Sequence, residues 1–423
     1  MVHRFLTGCL AVTLLFAVTT AIGCSVADES EGQASFASTS STYTSVAAGD
    51  FHTLALRSDG IVYAAGNNSS GELGNGTTSS TPTGPPTMVL GLTQVTAIAA
   101  GCKHSMALTS NGQVWAWGYN HVGQLGTETK NLAQPTPIQV SGLPSIKAIA
   151  VGYYHSIALD TTGHLWTWGS NSLGQLGTGS LNRNSFVPIQ LTGFQASAMA
   201  GGVDFTLALL LDGTVRAWGN NAKGQLATGS TTLAFSRVPV PTQLVGISAI
   251  AAGASHGIAV KFNGSVNTAV TWGDNSSCAL GIGTSTPDFS ATPLTVNGVS
   301  IPGPAISAGK SFSVSAADDD FAPPNPGAVV DVWGDNMYGQ LGIGSTIQSC
   351  QATIGGRYPD YPNYPNGQVF LPRGRQGTLS AGGYHTVAVD FNGKVVAWGR
   401  NTQGQLGTGS TAGSVWATQT IFP

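Results

Sequence analysis

Five histidines, His52, His104, His155, His256 and His385, each stand three residues after a glycine. Imidazoles gathered in one place are the commonest protein ligands for a transition metal. In two further copies of the same stretch, however, Phe205 and Phe312 fill that position. A site that accepts Phe asks for ring volume, with a hydrogen bond as an addition. The histidines are therefore expected to serve the fold, and no metal site is expected. Gly177-Thr178-Gly179-Ser180 and Gly407-Thr408-Gly409-Ser410 look phosphate-binding in isolation, but they share one repeat position and read as connections. Asp318-Asp319-Asp320 lacks the spaced ligands and glycine of a calcium loop and reads as a solvated hairpin. The chain has no His-Glu-x-x-His, Cys-x-x-Cys or Gly-x-x-x-x-Gly-Lys string. No catalytic residue and no cofactor is expected.

What positions these residues is a repeat. One string, Ala-Ala-Gly-x-x-His-x-x-Ala-Leu, has its glycine at Gly49, Gly101, Gly152, Gly202, Gly253, Gly309 and Gly382. A second, Trp-Gly-x-Asn-x-x-Gly-Gln-Leu-Gly, begins at Ala65, Trp117, Trp168, Trp218, Trp272, Trp333 and Trp398. The glycines lie 52, 51, 50, 51, 56 and 73 residues apart by subtraction, so there are seven copies. Within a copy, His-x-x-Ala-Leu alternates and ends at a hairpin signal such as Ser110-Asn111-Gly112, and Val114 to Trp117 returns. A Pro-Ile-Gln-Val strand (Pro137 to Val140) follows, and a fourth, Ile146 to Ala150, leads to the next glycine. Four antiparallel strands in about fifty residues make one propeller blade. The fold class is therefore all-β, a seven-bladed β-propeller. The repeated Trp rings are expected to pack between sheets.

Both strings resemble the regulator-of-chromosome-condensation repeat family over residues 43–423. The resemblance implies a ring closed by pairing N- and C-terminal strands. Thr418 to Phe422 ends the last copy without a fourth strand, and Tyr43 to Ala48 has the character of the missing one.

Charged residues make up only 8%, against about a quarter in ordinary domains. The net charge is −3, so no basic field exists to hold nucleic acid. His3 and Arg4 precede an apolar run from Phe5 to Ile22, which reads as an export signal over residues 1–23. Its end, Ala21-Ile22-Gly23-Cys24, resembles a bacterial lipoprotein signal in which Cys24 is acylated, with Ala21 where that motif prefers Leu. An ordinary cleaved signal and an uncleaved anchor are the alternatives, and all three place the domain outside the cytoplasm. Residues 24–42 read as a flexible tether. The only membrane contact expected is the lipid anchor, on a monomer. Of the remaining cysteines, Cys278 replaces a repeat glycine and Cys350 follows the equivalent loop one blade later. Adjacent blades in an oxidising compartment make a Cys278–Cys350 disulfide the expectation, with Cys102 unpaired.

If the framework is fixed, function belongs where copies differ. The Gly-x-x-His and Trp-Gly-x-Asn-x-x-Gly loops emerge on one face of a four-stranded meander. They carry Phe51, Tyr119, Tyr153, Tyr154, Asp204, Lys310, Met337, Tyr338 and Tyr384, with Tyr153, Tyr154, Phe51 and Tyr119 as leading anchors. Aromatic and charged residues on a rigid ring suit protein recognition. An insert at about 351–378, with Arg357, Tyr358, Tyr361 and Tyr364, reads as a second recognition loop or a plug between blades. A protein-binding scaffold is therefore expected. The alternatives are a hydrolase or lyase using the central opening, guanine-nucleotide exchange as in nuclear members of the family, and a structural envelope protein.

Overall fold

Short apolar strands broken every six or so residues by Gly, Asn and Pro leave no stretch long enough for a helix. The computed structural model shows seven antiparallel sheets and, among the described residues, no helix. Those residues are 41–423 except 83, 129–130, 263, 265–266, 301–304, 319–326, 356–368, 370 and 373–377. The export signal, Cys24, the tether up to residue 40, and Arg357, Tyr358, Tyr361 and Tyr364 lie outside the described residues.

Each blade is one continuous stretch of chain. The second blade runs Val95–Ala100, His104–Thr109, Val114–Tyr119, Ala133–Gln139, each strand paired with the next. The innermost strands of the seven blades are Tyr43–Ala48, Val95–Ala100, Ile146–Val151, Ala196–Gly201, Ile247–Ala252, Ile306–Ala308 and Leu379–Ala381. They are rich in Ala and Gly because strands converging on an axis leave little room for side chains.

This arrangement corrects the expected blade boundaries by one strand. Ile146–Val151 opens the third blade instead of completing the second, hydrogen-bonding to His155–Asp160. The expected strand exchange between chain ends is corrected with it. Tyr43–Ala48 pairs with His52–Arg57 inside the first blade, and the last blade completes its own four strands from Leu379–Ala381 to Ser414–Gln419. The ring closes by packing instead. Tyr43, Val46, Ala48 and Ala55 share a core with Val387, Val389, Val395, Ala397 and Leu406. The Tyr43 amide donates to Gly393 (2.8 Å) and the Tyr43 hydroxyl to the Pro423 carbonyl (2.6 Å). Inner strands run toward the Gly-x-x-His loops, so the start of Tyr43–Ala48 and the C-terminus share the opposite face.

The sixth blade gains a fifth strand, Leu371–Pro372, against Gly327–Gly334. Cys278 and Cys350 form the expected disulfide, joining the fifth and sixth blades, and Cys102 is free and buried.

The second string has a physical account, copy by copy. Trp117, Trp168, Trp218, Trp272, Trp333 and Trp398 are fully buried between sheets. Trp168, for example, packs with Met106, Leu125, Val140 and Ala158. Removing such a ring costs about 3–5 kcal/mol. Asn171 is the loop's internal brace. Its Oδ1 accepts from the Leu176 amide (3.1 Å), while its Nδ2 donates to the Asn182 carbonyl (2.7 Å). Gly126 sits at φ +68°, where a Cβ would meet the Trp168 indole nitrogen at 2.8 Å, so glycine eases the approach of the next blade; the fourth copy holds Ala227 there at φ +51°.

Candidate functional site

The repeated histidines do join blades. His52 Nε2 lies 2.9 Å from Ser105 Oγ, and Ser105 Oγ donates onward to the Glu72 carbonyl at 3.0 Å, so the imidazole must be the donor. The Trp117 indole N–H reaches the same carbonyl at 2.8 Å. The relay recurs at His104–Ser156–Gln124 and His155–Thr206–Gln175, and His385–Thr53–Gln405 carries it across the ring closure. Burial pushes His52 and His256 down to about 4, and His104, His155 and His385 to about 3. These are neutral structural imidazoles. Among the described residues no group of three His, Cys, Asp or Glu side chains is placed to hold a metal.

The functional candidates sit on top of this frame. The first variable residue after each glycine anchor stands on a rim around the axial opening: Asp50, Cys102, Tyr153, Val203, Ala254, Lys310 and Gly383. Amides of this rim bond to carbonyls of the next blade. Tyr153 N reaches Gly202 O (3.1 Å), Val203 N reaches Ala254 O (3.2 Å) and Gly383 N reaches Gly49 O (3.1 Å). The rim is thereby held by backbone across blades and does not depend on loop packing alone.

Outside the rim the aromatic residues fall into two groups. In the first, Tyr153 and Tyr154 meet edge to face at 4.6 Å, with Tyr119 at 6.3 Å from Tyr154 and stacked on His121 at 5.9 Å. In the second, Tyr338 and Tyr384 meet at 5.1 Å, and the Arg400 guanidinium lies over Tyr338 (5.1 Å), Phe51 (5.6 Å) and Tyr384 (5.8 Å). The Lys310 ammonium lies 4.9 Å from the Tyr384 ring centre and donates to its hydroxyl. Phe51 thus belongs with the last blades across the closure, not with Tyr153 and Tyr154. Asp50 stands between the groups. Burial raises the pKa of its carboxyl against the lowering influence of Tyr153, Lys310, Cys102 and Arg400 around it, while the Cys102 thiol donates to the Tyr154 hydroxyl at 3.9 Å. Burial also pushes the Cys102 thiol up to about 12, so it stays a protonated donor.

Two residues have other surroundings. Asp204 accepts from Gln175 Nε2 at 3.0 Å, bracing the third blade's loop, and Met337 is 59% exposed. Arg400 was missed in the sequence although it occupies the same repeat position as Tyr119. Asp50, the first residue after Gly49, was likewise missed.

Residues 20–317 match the model of the RCC1-like domain, and residues 378–405 match the regulator of chromosome condensation repeat. The chain belongs to the RCC1-like domain family. Relatives within reach of it include the ultraviolet-B receptor UVR8 of Arabidopsis thaliana, 30% identical over 86% of this chain and 79% of the relative. The probable E3 ubiquitin-protein ligase HERC6 of Homo sapiens is 33% identical over 84% of this chain, which spans only 28% of that protein. Among solved structures, Prp20p of Saccharomyces cerevisiae, studied for its binding to Gsp1p and histones, superposes with a TM-score of 0.70. That match covers 90% of this chain and 88% of Prp20p at 23% identity, a likeness of fold.

Proposed function

We propose that this protein is an extracytoplasmic scaffold that recognises a partner protein through the loop face bearing the two aromatic groups. The observation that carries the reading is their placement: rings and cations from the sixth, seventh, first, second and third blades converge on one face. Aromatic residues and Arg are the residue types that dominate binding energy at protein interfaces. A rim fixed by backbone hydrogen bonds lowers the ordering cost of binding.

Display supports the same reading. The first strand starts on the face opposite the loops, with its Tyr43 bonded to the chain's last residue. The reading includes export of the chain and acylation at Cys24. The Cys278–Cys350 pair suits an oxidising compartment. The reading gives this face binding and no chemistry, and treats the scaffold as a monomer.

The test is affinity capture with immobilised protein, comparing wild type with Phe51→Ala/Tyr384→Ala and Tyr119→Ala/Tyr154→Ala variants. A polypeptide retained by wild type and lost from either double variant, with the thermal midpoint held, supports the face. Retention by both variants refutes it.

A further inference from the structure

We infer that Arg400 and Lys310, with the rings of Phe51, Tyr338 and Tyr384, form a socket for a side-chain carboxylate of the partner, Asp or Glu; this rests on the loop-face reading above. The repeat shows what is unusual here. In other copies the residue after Trp-Gly is an acceptor inside the framework. Ser170 Oγ accepts from Gln175 Nε2 at 3.1 Å, and Asp335 Oδ2 accepts from Gln340 Nε2 at 3.1 Å. In the fifth copy Asp274 stands there and pairs with Lys223 of the preceding blade at 3.7 Å. The seventh copy reverses the sign. Arg400 takes the position, and in place of Lys223 the preceding blade offers Tyr338, its ring centre 5.1 Å from the guanidinium. Gln405, the counterpart of Gln175 and Gln340, loses its acceptor with the change, and its buried Nε2 has none among the described residues.

The exchange leaves positive charge without a partner. Neither Arg400 nor Lys310 takes part in the three ion pairs found among the described residues. Arg400 Nε donates to Thr402 Oγ1 at 2.9 Å, and its guanidinium lies among the rings of Tyr338, Phe51 and Tyr384. Lys310 is exposed, its ammonium 4.9 Å from the Tyr384 ring centre. Of the carboxylates on these loops, Asp335 is already engaged: Oδ1 accepts from the Met337 amide at 3.1 Å, and Oδ2 from Gln340. Asp50 stands beside Gly383, its Oδ1 2.9 Å from where a Cβ on that glycine would be. Two cations against this one carboxylate leave a single positive charge in excess.

That excess sets selectivity. A guanidinium held in place by rings loses little freedom on pairing with a flat carboxylate. A carboxylate carries the one negative charge the socket lacks, whereas a phosphate would bring a second and meet Asp50. A neutral amide would forfeit the charge-assisted bonds, and a cation would be repelled. Phe51 and Tyr384 offer apolar surface to the methylenes that carry the carboxylate.

The experiment uses the full chain and saturation-transfer NMR with N-acetyl-glutamate methylamide, its glutamine and lysine counterparts, and inorganic phosphate as a competitor. The glutamate probe is expected to bind about tenfold more tightly than the glutamine probe, and Arg400→Gln to weaken it about tenfold, the loss of one charge-assisted hydrogen bond. Arg400→Lys, which keeps the charge, should fall between, and Asp50→Asn should tighten binding by removing a like charge. Glutamate binding no tighter than glutamine binding, unchanged binding in Arg400→Gln, or displacement of the probe by equimolar phosphate overturns the inference. If no probe binds but partner capture still depends on Phe51 and Tyr384, the carboxylate socket is wrong and the recognition face stands. If the glutamate probe binds but capture is indifferent to the face variants, the socket stands and the recognition face fails.

Discussion

His155→Phe tests the structural role of the repeated histidines most sharply. Phe312 and Thr386 already form this junction between the sixth and seventh blades, with the Thr386 hydroxyl donating to the Gln340 carbonyl at 2.8 Å. Thr206, the partner of His155, donates to the Gln175 carbonyl at the same 2.8 Å. The substitution therefore rebuilds a junction the protein already uses, and it removes one buried hydrogen bond, worth about 1 kcal/mol. Acidity reverses the sign. Burial holds His155 at about 3 in the folded state, against about 6.5 unfolded. Its stabilising contribution is thus complete above pH 6.5 and is lost as pH falls toward 3. At pH 5 the unfolded chain gains about 2 kcal/mol from protonating this one imidazole. A phenyl ring in its place escapes that penalty. The variant should be about 1 kcal/mol less stable than wild type at pH 8 and about 1 kcal/mol more stable at pH 5, crossing near pH 6. Urea unfolding followed by fluorescence of the buried tryptophans gives both values. An equal loss at pH 8 and pH 5 would refute a neutral buried imidazole.

Three further outcomes are expected. Burial raises the Asp331 carboxyl to about 6, so its cost is absent below pH 4 and complete above pH 6; discounting for partial exposure, Asp331→Asn should stabilise by about 1–2 kcal/mol at pH 7.5 and by nothing at pH 4. Urea midpoints at the two pH values check this. Cys278→Ala/Cys350→Ser opens a loop of 72 residues and should cost about 2–4 kcal/mol, read as a fall in thermal midpoint under non-reducing conditions. Gly126→Ala should lower the midpoint more than Gly142→Ala, because a Cβ at 126 meets the Trp168 ring while one at 142 meets nothing within 4 Å.

Much of the fold is legible in the sequence because the chain states it seven times. The copies expose what is constant, and the places where Phe205 and Phe312 replace His reveal that the histidines fill space. The disulfide follows from the same register, since Cys278 and Cys350 occupy neighbouring blades. Blade boundaries are less legible, because a cyclic repeat can be cut at any strand and reads equally well. The Ala-rich character of Val95–Ala100 and Ile247–Ala252 is the signal that marks them as innermost, where crowding excludes large side chains. The site is legible only in part. Its residues stand at variable loop positions, but their grouping depends on contacts across the ring. Phe51 and Tyr384 share Arg400 although the whole propeller separates them in sequence.

The proposed binding face can be mapped directly. Hydrogen exchange on the complex with a captured partner tests it most directly. Protection is expected in the loops carrying Asp50-Phe51, Tyr153-Tyr154, Tyr338, Tyr384 and Arg400, with the hairpins around Gly112, Gly163 and Gly393 on the opposite face unchanged. Protection confined to those hairpins, or to the outer strands, would contradict it.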